Sequence, residues 1–474
     1  MKKNTFLIST AIDYPSEPGH LGHALEKIQA DVIARYKRSE GFNVHFSIGT
    51  DEHGLKIQRR AEKAGKTPQE FVNEMSSRFK DLWRVLNISN NDFIRTSEKR
   101  HEEVVQKIIK KMYENGDIYK GKYKGLYCVD CETYYLPKDL QENKCPIHHK
   151  PVEMIEEDTY FFKTSKYQKK LLEHIKKNDN FIIPESRKNE ILSRLKEPLY
   201  DLSISRETVK WGIPLPFDKK LTLFVWVDAL INYLTTINYP NKRFEEFWPT
   251  DVNVIGKDIL WHHSVIWGTI LLSLKLPLPK TIFVHGFISV DGQKMSKSLG
   301  NVINPLELAQ KYGADAVRYF LLREIPSTED GDFTNDKFKQ RYNSDLASGV
   351  GNLVKRILTL AKEAKPKKQV LDSNFGEIVL KARERYKKSL DNFNFSEALK
   401  SVWELISFCD KYIEREKPWE KKENKEKFSQ IINNLIVMLK EIADLLGPFL
   451  PETSERIKEQ IEEGKKQDLL FPRI

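Results

Sequence analysis

The spacing of apolar and polar residues differs from one part of the chain to the next. Residues 5–12 form a short apolar run that predicts a buried strand. After a turn containing Pro and Gly, apolar side chains recur at helical spacing at Leu25, Ile28, Val32, Ile33 and Tyr36. A strand, a tight turn and a helix in this order are typical of the start of a parallel nucleotide-binding sheet.

Residues 45–50 predict a second strand, and a helix beginning at Pro68 follows it. Thr67 and Glu70 have the spacing of a capping box, with Pro68 at the first helical position, where proline is favoured. One face of this helix carries the apolar residues Phe71, Met75, Phe79, Leu82 and Leu86. The α/β pattern therefore continues through this part of the chain.

The pattern changes at about residue 116, where short strand-like runs, many turns and a cysteine cluster begin. Strand and helix signals resume at 221–234, 252–256 and 281–290. We interpret this as one α/β domain, a split Rossmann-type parallel sheet, interrupted by an inserted connective domain. Its first half is predicted at 1–115, the insertion at 116–220 and its second half at 221–325.

Strand signals end at about Asn335, and amphipathic helices with Lys/Glu-rich outer faces follow. These helices predict an all-α helical bundle over 346–474, because each apolar face must be buried against another helix. Residues 326–345 are interpreted as a linker between the two domains.

Composition narrows the class of protein. A length of 474 residues with 40% hydrophobic residues suggests several folded units rather than disorder. The net charge of +10 permits a polyanionic partner without proving one. Neither a secretory signal nor an apolar stretch long enough to span a bilayer is recognisable, and three of the four cysteines are crowded together. We expect a cytoplasmic protein that makes no use of membranes.

The crowded cysteines have the spacing of a metal site. Cys128 and Cys131 form one pair, and Cys145 and His148 form a second pair thirteen residues later. Two residues between ligands allow one tight turn to present both to a tetrahedral Zn²⁺, and four protein ligands leave no open position, so the zinc would be structural. His149 is the competing fourth ligand, and scattered buried thiols beside a surface histidine are the alternative without a metal.

Two short motifs indicate phosphate chemistry. His20-Leu21-Gly22-His23 lies where the first strand turns into a helix, so backbone N–H groups and the helix dipole favour a bound anion there. Gly22 would leave room for a base or ribose. Lys294-Met295-Ser296-Lys297-Ser298 follows a strand and is bracketed by glycines. Its two ammonium groups could close over phosphates as charge develops on a leaving group. Each motif alone is also compatible with a polar surface segment.

Together the two motifs resemble those of the class I aminoacyl-tRNA synthetases. The resemblance implies ATP as a substrate with Mg²⁺, bound from both halves of a split Rossmann domain, and an aminoacyl-adenylate intermediate. His20, His23, Lys294 and Lys297 would be the catalytic residues. The full ATP-binding set implied by the family comprises His20, Gly22, His23, Gly256, Asp258, Lys294 and Lys297.

Several further segments resemble the methionyl-tRNA synthetases in particular, among them Gly49–Gly54, Ile204–Arg206, Trp226–Ala229 and Gly256–Ile259. The methionine pocket implied by this resemblance comprises Ala11, Ile12, Tyr14, Asp51, Trp226, Ala229, Tyr233, Ile259, His263 and Trp267. Asp51 and the Ile12 backbone would hold the substrate ammonium. An aromatic pocket suits a polarizable thioether. Asp13 departs from the usual apolar pattern and is expected to point away from the methionine.

The helical part is similar to the anticodon-binding part of the same family. The resemblance implies that Asn352, Arg356 and Trp419 read the CAU anticodon of tRNA(Met), both initiator and elongator, through hydrogen bonds and stacking. From the residues alone, Asn352 and Arg356 could equally be a polar helix surface, with Trp419 packing a corner of the bundle. The resemblance also makes residues 326–345 a contact for the tRNA stem.

Two other functions fit part of this pattern. A class I synthetase for cysteine, valine or leucine would share both motifs but lack the pocket set around Trp226 and His263. A tRNA-binding paralogue without catalysis would have no reason to retain both motifs together with Asp51. The chain stops soon after the helical part, where longer relatives carry a dimerising module, so we expect a monomer.

Overall fold

A computed structural model describes residues 4–130, 133–135, 137–147, 149–295, 300–364, 373–463 and 469–474. The chain divides into two compact units, which are not continuous in sequence. The first unit contains residues 1–19, 37–82 and 89–285, and the second contains 20–36, 83–88 and 286–474. These units differ from the sequence segments proposed as domains, since the helix after the first strand groups with the C-terminal half of the chain.

The core of the first unit is a parallel sheet. Its strands are β1 (Thr5–Thr10), β2 (Asn43–Thr50), β3 (Asp92–Arg95), β7 (Ile182–Ile183), β12 (Val252–Gly256) and β13 (Thr281–His285). They are arranged in the order β3-β2-β1-β12-β13-β7, and every neighbouring pair is parallel. The central strands are almost completely buried, as apolar strands covered on both faces should be. The predicted α/β parallel sheet is confirmed.

The segment predicted as an insertion forms two antiparallel sheets and contributes the edge strand β7 to the main sheet. One sheet has the order β5-β4-β6-β8, and the other has the order β10-β11-β9. Their strands are β4 (Ile118–Cys128), β5 (Thr133–Tyr135), β6 (Glu153–Phe162), β8 (Leu202–Ser203), β9 (Ser205–Arg206), β10 (Pro214–Leu215) and β11 (Asp218–Leu223).

Helices connect the strands of the first unit. They are α1 (Leu21–Ser39), α2 (Leu55–Lys63), α3 (Pro68–Val85), α4 (Lys99–Glu114), α5 (Gln168–Lys177), α6 (Glu185–Arg194), α7 (Val225–Leu230), α8 (Asn232–Thr235), α9 (Lys242–Phe247) and α10 (Trp267–Ser273). Most of α1 (21–36) and the end of α3 (83–85) belong to the second unit. The predicted capping box is present, since Glu70 accepts from the Thr67 backbone N–H and the Glu70 N–H donates to the Thr67 hydroxyl.

The second unit consists mainly of helices. These are α11 (Pro305–Tyr312), α12 (Ala314–Arg323), α13 (Asn335–Arg341), α14 (Asn352–Ala364), α15 (Ser373–Asp391), α16 (Phe395–Glu416), α17 (Lys425–Leu446) and α18 (Pro451–Glu463). The unit also contains a small sheet with the order β15-β14-β16, formed by β14 (Ile288–Val290), β15 (Gln293–Lys294) and β16 (Gly331–Phe333), the last of which lies between α12 and α13. The predicted helical C-terminal part is confirmed.

The apolar run 281–290 does not form one strand. It breaks at Gly286 into β13 and β14, which belong to different sheets and different units. A Cβ atom at Gly286 would lie 2.1 Å from the carbonyl oxygen of Glu329, so only glycine allows this approach. Hydrophobicity alone could not reveal the break because both strands are apolar.

A buried ion pair joins the start of the second unit to its helices. Arg318 of α12 lies 2.8 Å from Asp31 of α1, and neither side chain is exposed. Arg318 also donates to the carbonyl oxygens of Leu86, Pro448 and Phe449. A buried guanidinium needs these acceptors to offset its lost hydration.

Among the residues that the structure describes, no helix is both long enough and apolar enough to cross a membrane.

Candidate active site

Most of the residues predicted to line the methionine pocket contact one hydrophobic cluster of the first unit. Ala11, Tyr233 and Trp267 belong to the buried cluster, and Tyr14, Trp226 and Ile259 pack against it. Their positions along the chain span the first strand, α7, α8 and the segment after β12. The tertiary structure thus brings this part of the predicted set together.

Tyr233 and His263 form a buried hydrogen-bonded pair. The Tyr233 Oη lies 2.7 Å from His263 Nε2, and His263 Nδ1 lies 2.9 Å from the Ile259 carbonyl oxygen. Because a carbonyl oxygen only accepts, Nδ1 carries a proton, and the Nε2 of a neutral ring then accepts from the tyrosine hydroxyl. Both side chains therefore have a defined orientation before any ligand binds.

Trp226 is stacked on His262, the residue before His263 in the chain. The rings of Trp226 and His262 have their centroids 3.8 Å apart at an angle of 20°. Burial, assisted by the charge of the neighbouring residues, lowers the pKa of His262 to about 3. The ring that faces Trp226 is therefore a neutral aromatic surface, and the two side chains form one wall.

The ends of β1 and β2 hold Asp51 next to the first strand. The Asp13 N–H donates to the Gly49 carbonyl, and the Asp51 N–H donates to the Asp13 carbonyl, both at 2.8 Å. This backbone pairing places Asp51 beside the residue that follows Ile12. The Tyr14 hydroxyl donates to the His53 carbonyl at 3.1 Å. Asp51 is 7% exposed and Asp13 is 3% exposed, so both carboxyl groups lie below the surface.

Gly256 lies at the carboxyl end of β12, paired with His285 at the end of β13. A Cβ atom at Gly256 would lie 2.7 Å from Asp258 Oδ1, so the two residues are close neighbours in this turn. Asp258 is exposed, as a residue contacting a nucleotide from the sheet edge would have to be. His285 is a further polar residue at this edge that the sequence reasoning missed.

In the second unit, the rings of His20 and His23 stack at the start of α1, with centroids 3.9 Å apart. The Nδ1 of His23 accepts from the His20 N–H, and the Nδ1 of His20 accepts from the Gly22 N–H, both at 3.1 Å. A neutral imidazole that accepts at Nδ1 carries its proton on Nε2. Each ring is therefore set to donate through Nε2, the chemistry that phosphate oxygens need.

Gly22 lies directly beside the His20 ring. A Cβ atom at Gly22 would lie 3.0 Å from Cε1 of His20 and 3.1 Å from its Nδ1. A larger residue would therefore push the His20 ring out of its place. Room for a base or ribose at Gly22 stays a prediction.

Lys294 is exposed in β15, two residues after a turn in which Asp291 and Gly292 have positive φ. Its carbonyl oxygen accepts from the Asn301 side chain at 3.2 Å, which ties together the two sides of the Lys-Met-Ser-Lys-Ser segment. Lys297 lies outside the described residues.

The cysteine cluster is described in part. Cys128 ends β4 and is 1% exposed, and Cys145 is fully buried. Tyr135 connects them, since it pairs with Leu126 of β4 and its hydroxyl lies 3.7 Å from the Cys145 sulfur. The His149 N–H donates to the Cys145 carbonyl at 2.8 Å, closing the second turn. Cys131 and His148 lie outside the described residues, and the remainder contains no group of three metal ligands.

The predicted anticodon residues all lie on the helical part of the second unit. Asn352 is exposed at the start of α14, and Arg356, one turn later, donates to Asp410 of α16 at 2.9 Å. Trp419 follows the end of α16 and is 47% exposed, an unusual state for a tryptophan. The ion pair between Lys422 and Glu363 places the Trp419 turn near the other end of α14. Along that helix the two ends are roughly 16 Å apart.

Glu52 is the centre of a buried hydrogen-bond network that the sequence did not predict. Its carboxylate accepts from Arg95 at 2.7 and 3.0 Å, from Thr50 at 2.7 Å, and from Ser76 and Ser97. The sequence of Gly49–Gly54 does not distinguish a structural Glu52 from the neighbouring Asp51. The structural role of Glu52 becomes evident only from its hydrogen-bond partners, most of which come from distant segments of the chain.

Two sequence families match the chain. The family described as "tRNA synthetases class I (M)" matches residues 6–138 and 130–358. A second family, described as "Anticodon-binding domain of tRNA ligase", matches residues 379–471. The first match includes the positions of both phosphate motifs, and the second includes Trp419.

Individual proteins are similar over the whole chain. A methionine–tRNA ligase of Caldanaerobacter subterraneus is 42% identical, with all of this chain and 79% of the relative covered. That of Thermotoga maritima is 43% identical, with 95% and 74% covered. The structure of Mycobacterium tuberculosis methionyl-tRNA synthetase in complex with methionyl-adenylate superposes with a TM-score of 0.92 at 36% identity, covering 96% of this chain and 93% of the other.

Proposed function

The chain belongs to the methionine–tRNA ligases, a family of class I tRNA synthetases, and on that premise we propose which of its residues carry out the two steps of the reaction. The activity is the ATP-dependent activation of L-methionine and its transfer to tRNA. A methionine carboxylate oxygen attacks the α-phosphorus of ATP, and the bond to the leaving pyrophosphate breaks. The ribose hydroxyl of the terminal adenosine then attacks the methionyl carbonyl, and AMP leaves.

The hydrophobic cluster of the first unit is proposed to bind the methionine side chain. Trp226 and Trp267 offer polarizable rings to the thioether, and the Tyr233–His263 pair supplies a fixed polar edge. Asp51 and the Ile12 backbone would bind the ammonium group, with Ala11, Tyr14, Ala229 and Ile259 completing the wall. The single observation that carries this assignment is the Tyr233–His263–Ile259 chain of hydrogen bonds, which orients the polar groups in advance.

His20 and His23 are proposed to donate through Nε2 to the triphosphate, because both Nδ1 atoms already accept from backbone N–H groups. Gly22, Gly256 and Asp258 would line the rest of the nucleotide. Lys294 and Lys297 would stabilise the charge on the departing pyrophosphate. Mg²⁺ bound to the phosphates would supply further charge neutralisation.

Amino-acid-dependent exchange of pyrophosphate into ATP tests the substrate assignment. Each of the twenty amino acids is supplied in turn, without tRNA. Exchange with methionine alone is expected. Exchange with cysteine, valine or leucine would favour another class I specificity, and exchange with none would overturn catalysis altogether.

A structural zinc held by Cys128, Cys131, Cys145 and His148 is proposed for the inserted domain. The burial of Cys128 and Cys145 and the closed turn after Cys145 fit a zinc knuckle. Metal analysis of the purified protein should find about one zinc per chain. Cys145→Ala should lose it, whereas Cys409→Ala should keep it. Cys409 is a matched control because it is also a buried thiol, whose pKa burial raises to about 12. Zinc retained in Cys145→Ala would contradict the site.

Recognition of tRNA(Met) is proposed to use Asn352, Arg356 and Trp419. Trp419 has the exposure that a stacking platform requires, and Arg356 is held at a fixed place by Asp410. Contact of residues 326–345 with the tRNA stem, binding of both initiator and elongator tRNA, the cytoplasmic location and the monomeric state stay predictions. Sedimentation of the purified protein would test the last of these.

A further inference from the structure

Asp228 lies in α7 between two of the proposed pocket residues, Trp226 and Ala229, but is completely buried. Its Oδ2 lies 2.7 Å from His53 Nδ1, and its Oδ1 lies 2.8 Å from His101 Nε2. The second nitrogen of His101 lies 3.0 Å from the Thr235 hydroxyl of α8. One carboxylate therefore joins the loop after β2 to α4, α7 and α8.

A buried carboxylate needs such donors. Burial works to raise the pKa of Asp228, but the two histidines outweigh it and hold that pKa below its ordinary value. Each imidazole contributes one ring nitrogen within hydrogen-bond distance, so both carboxylate oxygens have a partner.

His53 belongs to the short loop that begins with Asp51, the residue proposed to bind the methionine ammonium. The loop is also held by contacts with other segments. Its Glu52 carbonyl accepts from the Trp211 indole N–H at 2.5 Å, and its Gly54 N–H donates to the Trp211 carbonyl at 2.9 Å. The His53 carbonyl accepts from Tyr14, another proposed pocket residue. The only side chain among these contacts that reaches α7 is that of His53.

We infer that Asp228 is a positioning residue for methionine binding, which, through His53, sets the distance between the ammonium-binding Asp51 loop and the α7 wall that carries Trp226. The inference rests on the proposed function of Asp51 and Trp226. A substrate held at both its ammonium and its thioether is sensitive to this distance, because a displacement of about 1 Å in a binding site is enough to weaken binding strongly. Neither His53 nor Asp228 needs to touch the substrate for this effect.

The test compares two substitutions of His53, because Asp228→Ala could fail to fold. In His53→Asn, the side-chain nitrogen occupies the place of the imidazole Nδ1 and can still donate to Asp228. In His53→Leu, the donor is lost. Initial rates of methionine-dependent pyrophosphate exchange give the KM for methionine, the KM for ATP and kcat separately.

We expect His53→Leu to raise the KM for methionine about tenfold, with the KM for ATP within about twofold of the parent. His53→Asn should restore the methionine KM to within about threefold. Tyr167→Phe is the control, since it removes a 2.6 Å hydrogen bond from another buried carboxylate, Asp117, in the same unit. It should lower the thermal midpoint without changing either KM.

An unchanged methionine KM in His53→Leu, an equal rise in both KM values, or no recovery in His53→Asn would each overturn the inference. A parent enzyme without any methionine-dependent exchange would instead overturn the proposed function. The two failures are therefore distinguishable in one set of measurements.

Discussion

The Tyr233 hydroxyl lies 2.7 Å from His263 Nε2, while the opposite nitrogen of that ring lies 2.9 Å from the Ile259 carbonyl. Each partner thereby determines the hydrogen-bonding role of the next. The Tyr233 hydroxyl donates to the histidine, and its oxygen can still accept a hydrogen bond. The pair is 30 residues apart in sequence, and helix packing alone brings it together.

Tyr233→Phe is expected to raise the KM for methionine about five- to tenfold, because a buried Nε2 loses its donor and the His263 ring loses its orientation. The KM for ATP should stay within about twofold. Pyrophosphate exchange at varied methionine and ATP concentrations measures both. Tyr239→Phe is a matched control, since Tyr239 is also buried but its hydroxyl bonds to Lys111. A methionine KM equal in both variants would argue against the pocket assignment.

Lys294→Ala is expected to lower kcat for exchange about 100-fold, because an exposed ammonium that meets the leaving pyrophosphate acts mainly in the transition state. Methionine affinity, measured by equilibrium binding, should change less than about twofold. Lys311→Ala, a change at an exposed lysine of α11, should leave both quantities unaltered. A large loss of methionine binding in Lys294→Ala would count against its role. We expect the same behaviour for Lys297→Ala, which is predicted from the sequence.

Trp419→Ala is expected to raise the KM for tRNA(Met) in aminoacylation at least about tenfold, since a base stacked on an aromatic ring contributes about 1–3 kcal/mol. Exchange of pyrophosphate, which needs no tRNA, should remain at the parent level. Leu380→Ala serves as the comparison, because Leu380 is another large apolar side chain of the helical part and is 58% exposed. Equal tRNA affinity in the two variants would remove Trp419 from the anticodon site.

Acid should destabilise the first unit partly through His45. Burial, and then the positive charge of Arg243, lower the pKa of His45 from 6.5 to about 4. Between these two values the unfolded chain binds a proton that the folded chain does not. The free energy of unfolding therefore falls as the pH falls from 6.5 towards 4, by about 3 kcal/mol in total.

His45→Gln should reduce the slope of the unfolding free energy against pH, by an amount that corresponds to about one proton. Urea titrations at several pH values measure this slope. Above pH 7 the slope of the two proteins should agree. His174→Gln is the comparison, because His174 is only half-buried and its pKa is lowered less. An identical slope in parent and His45→Gln below pH 6 would show that His45 is protonated in the folded state.

Local patterns in the sequence predicted much of the architecture. The first strand, the capping box at Thr67 and the helical C-terminal part all depend on contacts between neighbouring residues, so hydrophobic spacing and capping chemistry reveal them. The two phosphate motifs were likewise recognisable because their residues are contiguous. Their family then indicated methionine and tRNA as substrates.

The tertiary structure decided what depends on distant partners. It breaks the apolar run 281–290 at Gly286, where a remote backbone leaves no room for a Cβ atom. It joins Asp228 to His53 across 175 residues. Hydrophobic periodicity predicts which face of a helix or strand is buried. It does not predict the hydrogen-bond partners of the polar atoms on that face. That pairing is determined only when the packed chain must satisfy every buried donor and acceptor.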